Sequence, residues 1–303
     1  EVLKLPDEIR NNLSFLYFDT MGIFWTMKYP NDRQRELLKQ WDLKPEGINI
    51  NLFVPVGLFD KYVEAGIPAD FPFAIKTSEL NASDWVSLFD VKLTDSIGVL
   101  VERVIDELKE KSSEYSIKDI INRIEVDGRT AREVKDAAIN RFYAAEKWGL
   151  FDENGTKISE LTKPGTINVL DTSAYTSSVG NWSIKNLVIG LVCRKLMEER
   201  VVARKEEELE DIKKEKSYFY EEFKQEKPLI WIAIDEAHEA IPKDRITPAT
   251  DALVQLLREG RQPGISLCLV TQQPGEIHRD VLTQTDLVIS HRLTAKRDIE
   301  ALN

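Results

Sequence analysis

An α/β fold built on a mostly parallel sheet, with an inserted helical subdomain, is what this sequence predicts. Three observations carry the expectation. Six apolar runs of strand length alternate with helical stretches along the chain. The runs are close to continuously apolar, as strands covered by helices on both faces require. Between the second and third runs the periodicity turns helical, over residues 81–160.

The first run, Ser14-Phe-Leu-Tyr-Phe18, ends at Asp19-Thr-Met-Gly22, and the second, Ile48 to Val54, is stopped by Pro55 and Gly57. In the helical stretch Ile97, Leu100, Val101, Val104, Ile105 and Leu108 fall at helical intervals with charges between them. Ala131 to Trp148 repeats that type of pattern, and Ser112-Ser113 and Asp127-Gly128 mark turns. The third run, Thr166 to Leu170, follows the turn Lys163-Pro-Gly165. A long helix is expected from Gly180 to about Gln225, its outer half alternating blocks of charge, with Glu210 and Lys214 in the favourable i,i+4 order. That half reads as a solvated projection or as an arm for a partner. Leu229–Ile234, Ile265–Val270 and Leu287–Ser290 complete the strands. Residues 1–80 and 161–303 thus read as the α/β core, incomplete at both ends, and 81–160 as the insertion.

Composition bounds the function classes. The 303 residues are 42% hydrophobic and 9% aromatic, which excludes wholesale disorder. The net charge of −11 argues against a surface coated for nucleic acid, while leaving room for a local basic one. Two cysteines, Cys193 and Cys268, in unrelated apolar runs predict no disulfide framework and a reducing, cytoplasmic setting. With three histidines beside them, a zinc site has few ligands to draw on. No segment reaches the roughly 18 uncharged apolar residues of a membrane span, and no leader opens the chain, so no membrane partner is expected. Glu1-Val-Leu-Lys-Leu5 reads as the tail of a helix already under way, which suggests an internal piece of a longer protein.

The chemistry concentrates in Trp231-Ile-Ala-Ile-Asp-Glu-Ala-His238. An apolar strand ending in two adjacent carboxylates hides its body in the sheet and presents Asp235 and Glu236 at its carboxyl end, where ligands of open α/β sheets bind. Acidic residues also favour helix N-termini, so the pair alone does not decide. Leu256 to Pro274 then supplies a helix, Glu259-Gly-Arg261, a Gln-Pro-Gly turn and another buried strand ending in Thr271-Gln272. A polar side chain at that position is where an NTPase needs a γ-phosphate sensor.

The first of these elements resembles the Walker B strand of P-loop NTPases, and the whole series resembles the HerA/FtsK superfamily of ring-forming DNA translocases. Asp286-Leu-Val-Ile-Ser-His-Arg292 looks like that family's next strand and its arginine. Asp171 and Asp19 match the family's strand-end carboxylates, and the helical insertion lies where HerA proteins carry one. The similarity spans most of the chain. It implies a RecA-like P-loop NTPase core binding ATP and Mg2+. By resemblance Asp235 holds magnesium through water, Glu236 polarises the attacking water, and Gln272 senses the γ-phosphate. Asp19 joins Asp235 as a cofactor-binding carboxylate. Arg261 matches an arginine that reaches across a subunit boundary as an arginine finger.

One departure is large. The phosphate-cradling Gly-x-x-x-x-Gly-Lys-Ser/Thr loop is absent from these residues.

The resemblance implies ATP-driven movement on double-stranded DNA by a homohexamer, in DNA end processing or repair, with a NurA-type nuclease as a partner. Lys243, Arg245 and Arg292 are candidate phosphate contacts, with Arg279, Lys296 and Arg297 clustering nearby in sequence. Two other classes remain open: a conjugation or secretion coupling ATPase, and a non-hydrolysing interaction module if the intact protein lacks a P-loop. Asp235-Glu-Ala-His238 also resembles motif II of DEAH-box helicases, but nothing after it supplies their second domain.

Overall fold

The structure, a computed structural model, describes residues 4–175, 182–215 and 227–302. The expected helix tail at residues 1–3 and the stretch from 216 to Gln225 lie outside the described residues, as do the Gly180 start of the long helix and the side chain of Lys214. Six strands form one sheet: β1 Leu13–Asp19, β2 Asn51–Pro55, β3 Phe71–Phe73, β4 Ile167–Asp171, β5 Leu229–Ile234 and β6 Ile265–Leu269. Their order is β3-β2-β4-β1-β5-β6, and every pairing is parallel. The expected core is therefore present, more uniformly parallel than the sequence required.

Helices cover one face. Besides the four-residue helix Ile158–Leu161, four lie between β3 and β4: α1 Ala82–Leu88, α2 Ser96–Lys111, α3 Ile117–Glu125 and α4 Arg132–Glu146. In α2 the residues at helical spacing, Leu100, Val101, Val104 and Ile105, are all buried. Trp85 of α1 is fully buried, with the rings of Phe89, Phe142 and Phe151 at 5.7, 5.0 and 5.4 Å. These side chains join those of β1, β4, β5 and the helix α5, Trp182–Glu215, in one continuous core. Arg194 of α5 donates two hydrogen bonds to Asp84 of α1, at 3.1 and 3.0 Å. The helical stretch thus shares its interior with the sheet. A smaller cluster on the other face packs Leu52, Val54 and Val169 under Phe24, Trp25 and Tyr62.

Three expectations are corrected. Leu287–Ser290 is not a strand: it carries no ladder, and Leu287, Val288 and Ile289 are 74%, 56% and 81% exposed. A strand needs a neighbour to take its backbone groups, and none of the described elements offers one there. Double-sided burial holds for β1, β2 and β4 but fails for β5 and β6. In these two, Ile230, Ile232, Ile234 and Ile265 face the core while Trp231 and Cys268 are exposed. No described helix covers that side. The third correction is β3, which the sequence reading missed: Pro72 sits inside three residues, which only an edge strand tolerates.

The insertion is hooked to the sheet where Gly57 N donates to Gly149 O at 2.9 Å. A Cβ on Gly57 would lie 2.5 Å from Gly149 Cα, so only glycine permits the approach. Gly57→Ala is expected to lower the unfolding free energy by about 1–3 kcal/mol, the scale of overpacking. Gly128→Ala, which meets nothing within 4 Å, is expected to stay within about 0.5 kcal/mol of the parent. Urea unfolding of the two variants checks the difference.

Candidate functional site

The strand order places a switch point beside β1. From β1 the chain crosses to β2 on one side; from its neighbour β5 it passes to β6 on the other. Connections that diverge in this way leave a crevice at the carboxyl ends of the two adjacent strands. At its rim stand Asp19-Thr20, buried at the end of β1, and the half-buried Asp235-Glu236 after β5.

The loop after β5 is fixed from both sides. Thr20 Oγ1 donates to Asp235 O at 3.2 Å. On the opposite flank Val270 N donates to Ile234 O, and Ala237 N to Val270 O, both at 2.9 Å. Between these ties Glu236 takes a left-handed backbone, φ 48° and ψ 45°, as the cap of the short helix Ala237–Ala240. A side-chain-bearing residue there costs about 1–2 kcal/mol. The surrounding hydrogen bonds hold it nonetheless, and the turn aims its carboxylate at the end of β6.

There the structure brings two sequence-selected residues together. Gln272 Nε2 donates to Glu236 Oε1 at 2.6 Å. His238 Nδ1 lies 3.4 Å from Glu236 Oε2 and 3.0 Å from Thr271 Oγ1. Both oxygens of Glu236 are therefore engaged, by a side chain from β6's end and by one from its own loop. The Asp235 carboxylate is half-exposed and has no hydrogen-bond or ionic partner among the described residues.

Asp19 is placed differently from the expectation. It is fully buried, its Oδ1 accepting from Met21 N at 3.1 Å and Gly22 N at 2.7 Å, its Oδ2 from Phe24 N at 2.7 Å. Its oxygens accept three backbone donors of the turn after β1, level with Asp235 on the neighbouring strand. Asp171, its register partner on β4, is buried too and accepts from Ser173 N at 2.8 Å and from the Tyr62 hydroxyl. Burial raises both carboxyls above their ordinary range, against the pull of the hydrogen bonds they accept. Burial and the nearby Asp171 charge push the Tyr62 phenol up to about 12.

Arg261 sits at the other end of β6. It is exposed in the turn after the helix α6, Thr250–Glu259, and its carbonyl accepts from Gly264 N at 3.2 Å. The buried Arg200 of α5 fixes that turn, its Nε donating to Pro263 O at 2.7 Å. Five strand residues span roughly 17 Å, so Arg261 and Glu236 do not meet within one chain. Lys243, Arg245 and Arg292 are all exposed. Lys243 N donates to Glu276 O at 2.8 Å, which seats its loop against the segment after Gln272.

Sequence reasoning missed the side chains that brace the carboxylate loop. Lys185 of α5, 1% exposed, is paired with Glu239, and Asn186 Nδ2 donates to Glu239 O at 3.1 Å. The signal was present as two adjacent polar residues opening an apolar helix, Lys185-Asn-Leu-Val-Ile189. Thr20, a small residue just past a strand, gave no such signal.

A Pyrococcus furiosus protein described as the DNA double-strand break repair helicase HerA is 30% identical over 146 residues, 45% of this chain and 26% of that protein. A probable DNA double-strand break repair helicase HerA of Methanocaldococcus jannaschii is 39% identical over 72 residues, 24% of this chain and 14% of that one. The chain is related to the HerA/FtsK superfamily. The aligned residues span about a quarter or less of the length of these curated relatives. No protein-family model matches. VirB4 of Thermoanaerobacter pseudethanolicus superposes with a TM-score of 0.45 at 12% identity, over 93% of this chain and 74% of that one. The bacterial conjugative coupling protein TrwBdeltaN70 superposes with a TM-score of 0.38 at 13% identity, over 90% and 67%. The HerA relationship and the all-parallel sheet, with its carboxylates at the end of an inner strand, make the core RecA-like in class. Among the described residues no helix is long and apolar enough to cross a membrane.

The buried carboxyls carry a pH signature. A native pKa raised above the unfolded value means the folded state binds the proton more tightly, so stability falls as pH rises from about 4 through the raised value. Asp171→Asn is expected to lose less unfolding free energy than the parent as pH rises over that range, in urea titrations at successive pH values. An equal or steeper loss contradicts the assignment to burial.

Proposed function

We propose that this chain is the catalytic part of a HerA-type, ATP-driven translocase acting on double-stranded DNA, working as a homohexamer in the cytoplasm in DNA end processing or repair. The observation that carries the reading is the Glu236–Gln272 hydrogen bond of 2.6 Å at the mouth of the β1–β5 crevice, beside the unpartnered Asp235. A carboxylate base, a polar amide at the neighbouring strand end and a free carboxylate for a hydrated cation are what phosphoryl transfer to water needs from this side of the nucleotide.

The residues fit magnesium in one respect. Asp235 is one half-exposed carboxylate, and no cluster of three acidic, histidine or cysteine ligands forms among the described residues. It suits an ion held through water and completed by phosphate oxygens rather than a caged one. Bound there, the ion supplies charge neutralisation at the phosphates. Glu236 accepts a proton from the attacking water, and Gln272 orients the carboxylate or the γ-phosphate. The 303 residues contain no phosphate-cradling loop, so they name no side chain for that task. Lys243, Arg245 and Arg292 are proposed to contact DNA phosphates, and a NurA-type nuclease is the proposed partner.

In the protein carrying its phosphate-binding loop, Glu236→Gln is expected to bind ATP and hydrolyse it at least ~100-fold more slowly, the scale of lost general-base help. Near-normal turnover contradicts the role of Glu236. Double-stranded DNA is expected to raise turnover, with binding that weakens steeply with salt as counterions are released. Stimulation by a protein substrate without any response to DNA supports a coupling ATPase instead.

Arg261 is proposed to act on a neighbour's nucleotide, since it faces away from its own crevice. Mixing Arg261→Ala with Glu236→Gln protein, each nearly inactive alone, is expected to restore part of the activity in mixed rings. Arginine fingers contribute on the order of 10³-fold. Stable mixed rings without recovered activity leave Arg261 as a cap on its helix.

A further inference from the structure

A chain of polar contacts runs from Glu236 to the surface. On its far side from Glu236, His238 Nε2 lies 3.3 Å from Gln273 Nε2. Gln273 Oε1 in turn accepts from Arg297 Nη2 at 3.5 Å. Arg297 belongs to the helix α7, Lys296–Ala301; its side chain is 60% exposed and pairs with Glu276 at 2.7 Å. The helix is pinned to the same segment because Gly275 N donates to the buried Asp298 Oδ1 at 2.9 Å. Lys243 N is held by Glu276 O, so the exposed Lys243 loop and Arg297 meet around one residue.

The direction of each hydrogen bond follows from the donors available. A guanidinium only donates, so it fixes the oxygen of the Gln273 amide toward Arg297 and the NH2 toward His238. The ring nitrogen that receives this NH2 must be an acceptor. The imidazole proton then lies on Nδ1, where Thr271 Oγ1 accepts it at 3.0 Å and Glu236 Oε2 stands 3.4 Å away. Thr271 Oγ1 also accepts from Gln273 N at 3.0 Å. One exposed arginine therefore sets the tautomer that faces the second oxygen of Glu236.

We propose that His238 and Gln273 are positioning residues that report a DNA phosphate at Arg297 to Glu236. A phosphate oxygen recruits the Arg297 guanidinium away from Gln273. The amide is then free to turn, the Nδ1–H form of His238 loses its lock, and Glu236 Oε2 is released toward water. The coupling rests on the reading of Glu236 as the base; the tautomer lock does not.

The test separates the two. Imidazole 15N spectra of the 303-residue chain, with the His238 signal assigned by His238→Asn among only three histidines, report which nitrogen carries the proton. The expected parent state is Nδ1–H, shifting toward the Nε2–H form in Gln273→Leu and in Arg297→Ala. An Nε2–H parent, or an Nδ1–H form unmoved by both substitutions, overturns the proposal whether or not the chain hydrolyses ATP. In the loop-bearing protein, the ratio of ATPase rates with saturating double-stranded DNA and without it is expected to fall in both variants. The double variant should match the lower of the singles, because the two act through one path. Effects that multiply overturn the coupling. Loss of activity in Glu236→Gln together with an unaltered DNA ratio in Gln273→Leu overturns the relay while leaving the base in place.

Discussion

The arrangement at the crevice depends on β1 having a parallel partner on each side. Its register with β5 sets Phe18 beside Ile234, and its register with β4 sets Asp19 beside Asp171. Three strands consequently end at one level, and their last residues can be tied laterally. Thr172 Oγ1 donates to Asp19 O and Thr20 Oγ1 to Asp235 O, both at 3.2 Å, so hydroxyls step across from β4 to β1 to β5. A parallel ladder makes this rim, since antiparallel neighbours would bring in strand starts instead. The left-handed turn at Glu236 is sustained by that rim and by the end of β6.

Two carboxylate pairs stand on the rim and serve opposite purposes. Asp19, with three backbone donors, and Asp171, with Ser173 N and the Tyr62 hydroxyl, are buried and driven toward the neutral form by burial. Asp235 is half-buried and without a partner among the described residues, while the Glu236 side chain, 14% exposed, is held by side chains. Backbone N–H groups cannot turn away from a carboxylate without unfolding their loop, whereas a Gln or His side chain can rotate. The inner pair fixes the shape of the crevice, and the outer pair keeps the freedom that chemistry requires.

Much of this was legible in the sequence. Five of six expected strands formed, because runs such as Leu229–Ile234 admit little besides a buried strand, and the helical spacing of Leu100, Val101, Val104 and Ile105 matched the buried stripe of α2. What failed depended on neighbours. Leu287–Ser290 has strand composition, but a strand exists only with a partner beside it, and composition does not say whether one is there. Trp231 and Cys268 read as core and are exposed for the same reason: no element among the described residues covers that side. Asp19 was read as a cofactor-binding carboxylate from its type and place, and its burial was not visible there. Whether a carboxylate is free or consumed by Met21, Gly22 and Phe24 is decided by a loop's dihedral angles, which no residue pattern displays.

The proposed chemistry requires Asp235 and Glu236 to face a nucleotide at the end of β5. Crystals of the loop-bearing protein soaked with a non-hydrolysable ATP analogue and Mn2+ test this most directly, since anomalous scattering locates the ion. The expected result is an ion within one water of the Asp235 carboxylate, with the terminal phosphate facing Glu236 and Gln272. An ion and phosphates bound away from the carboxyl ends of β5 and β6 contradict it.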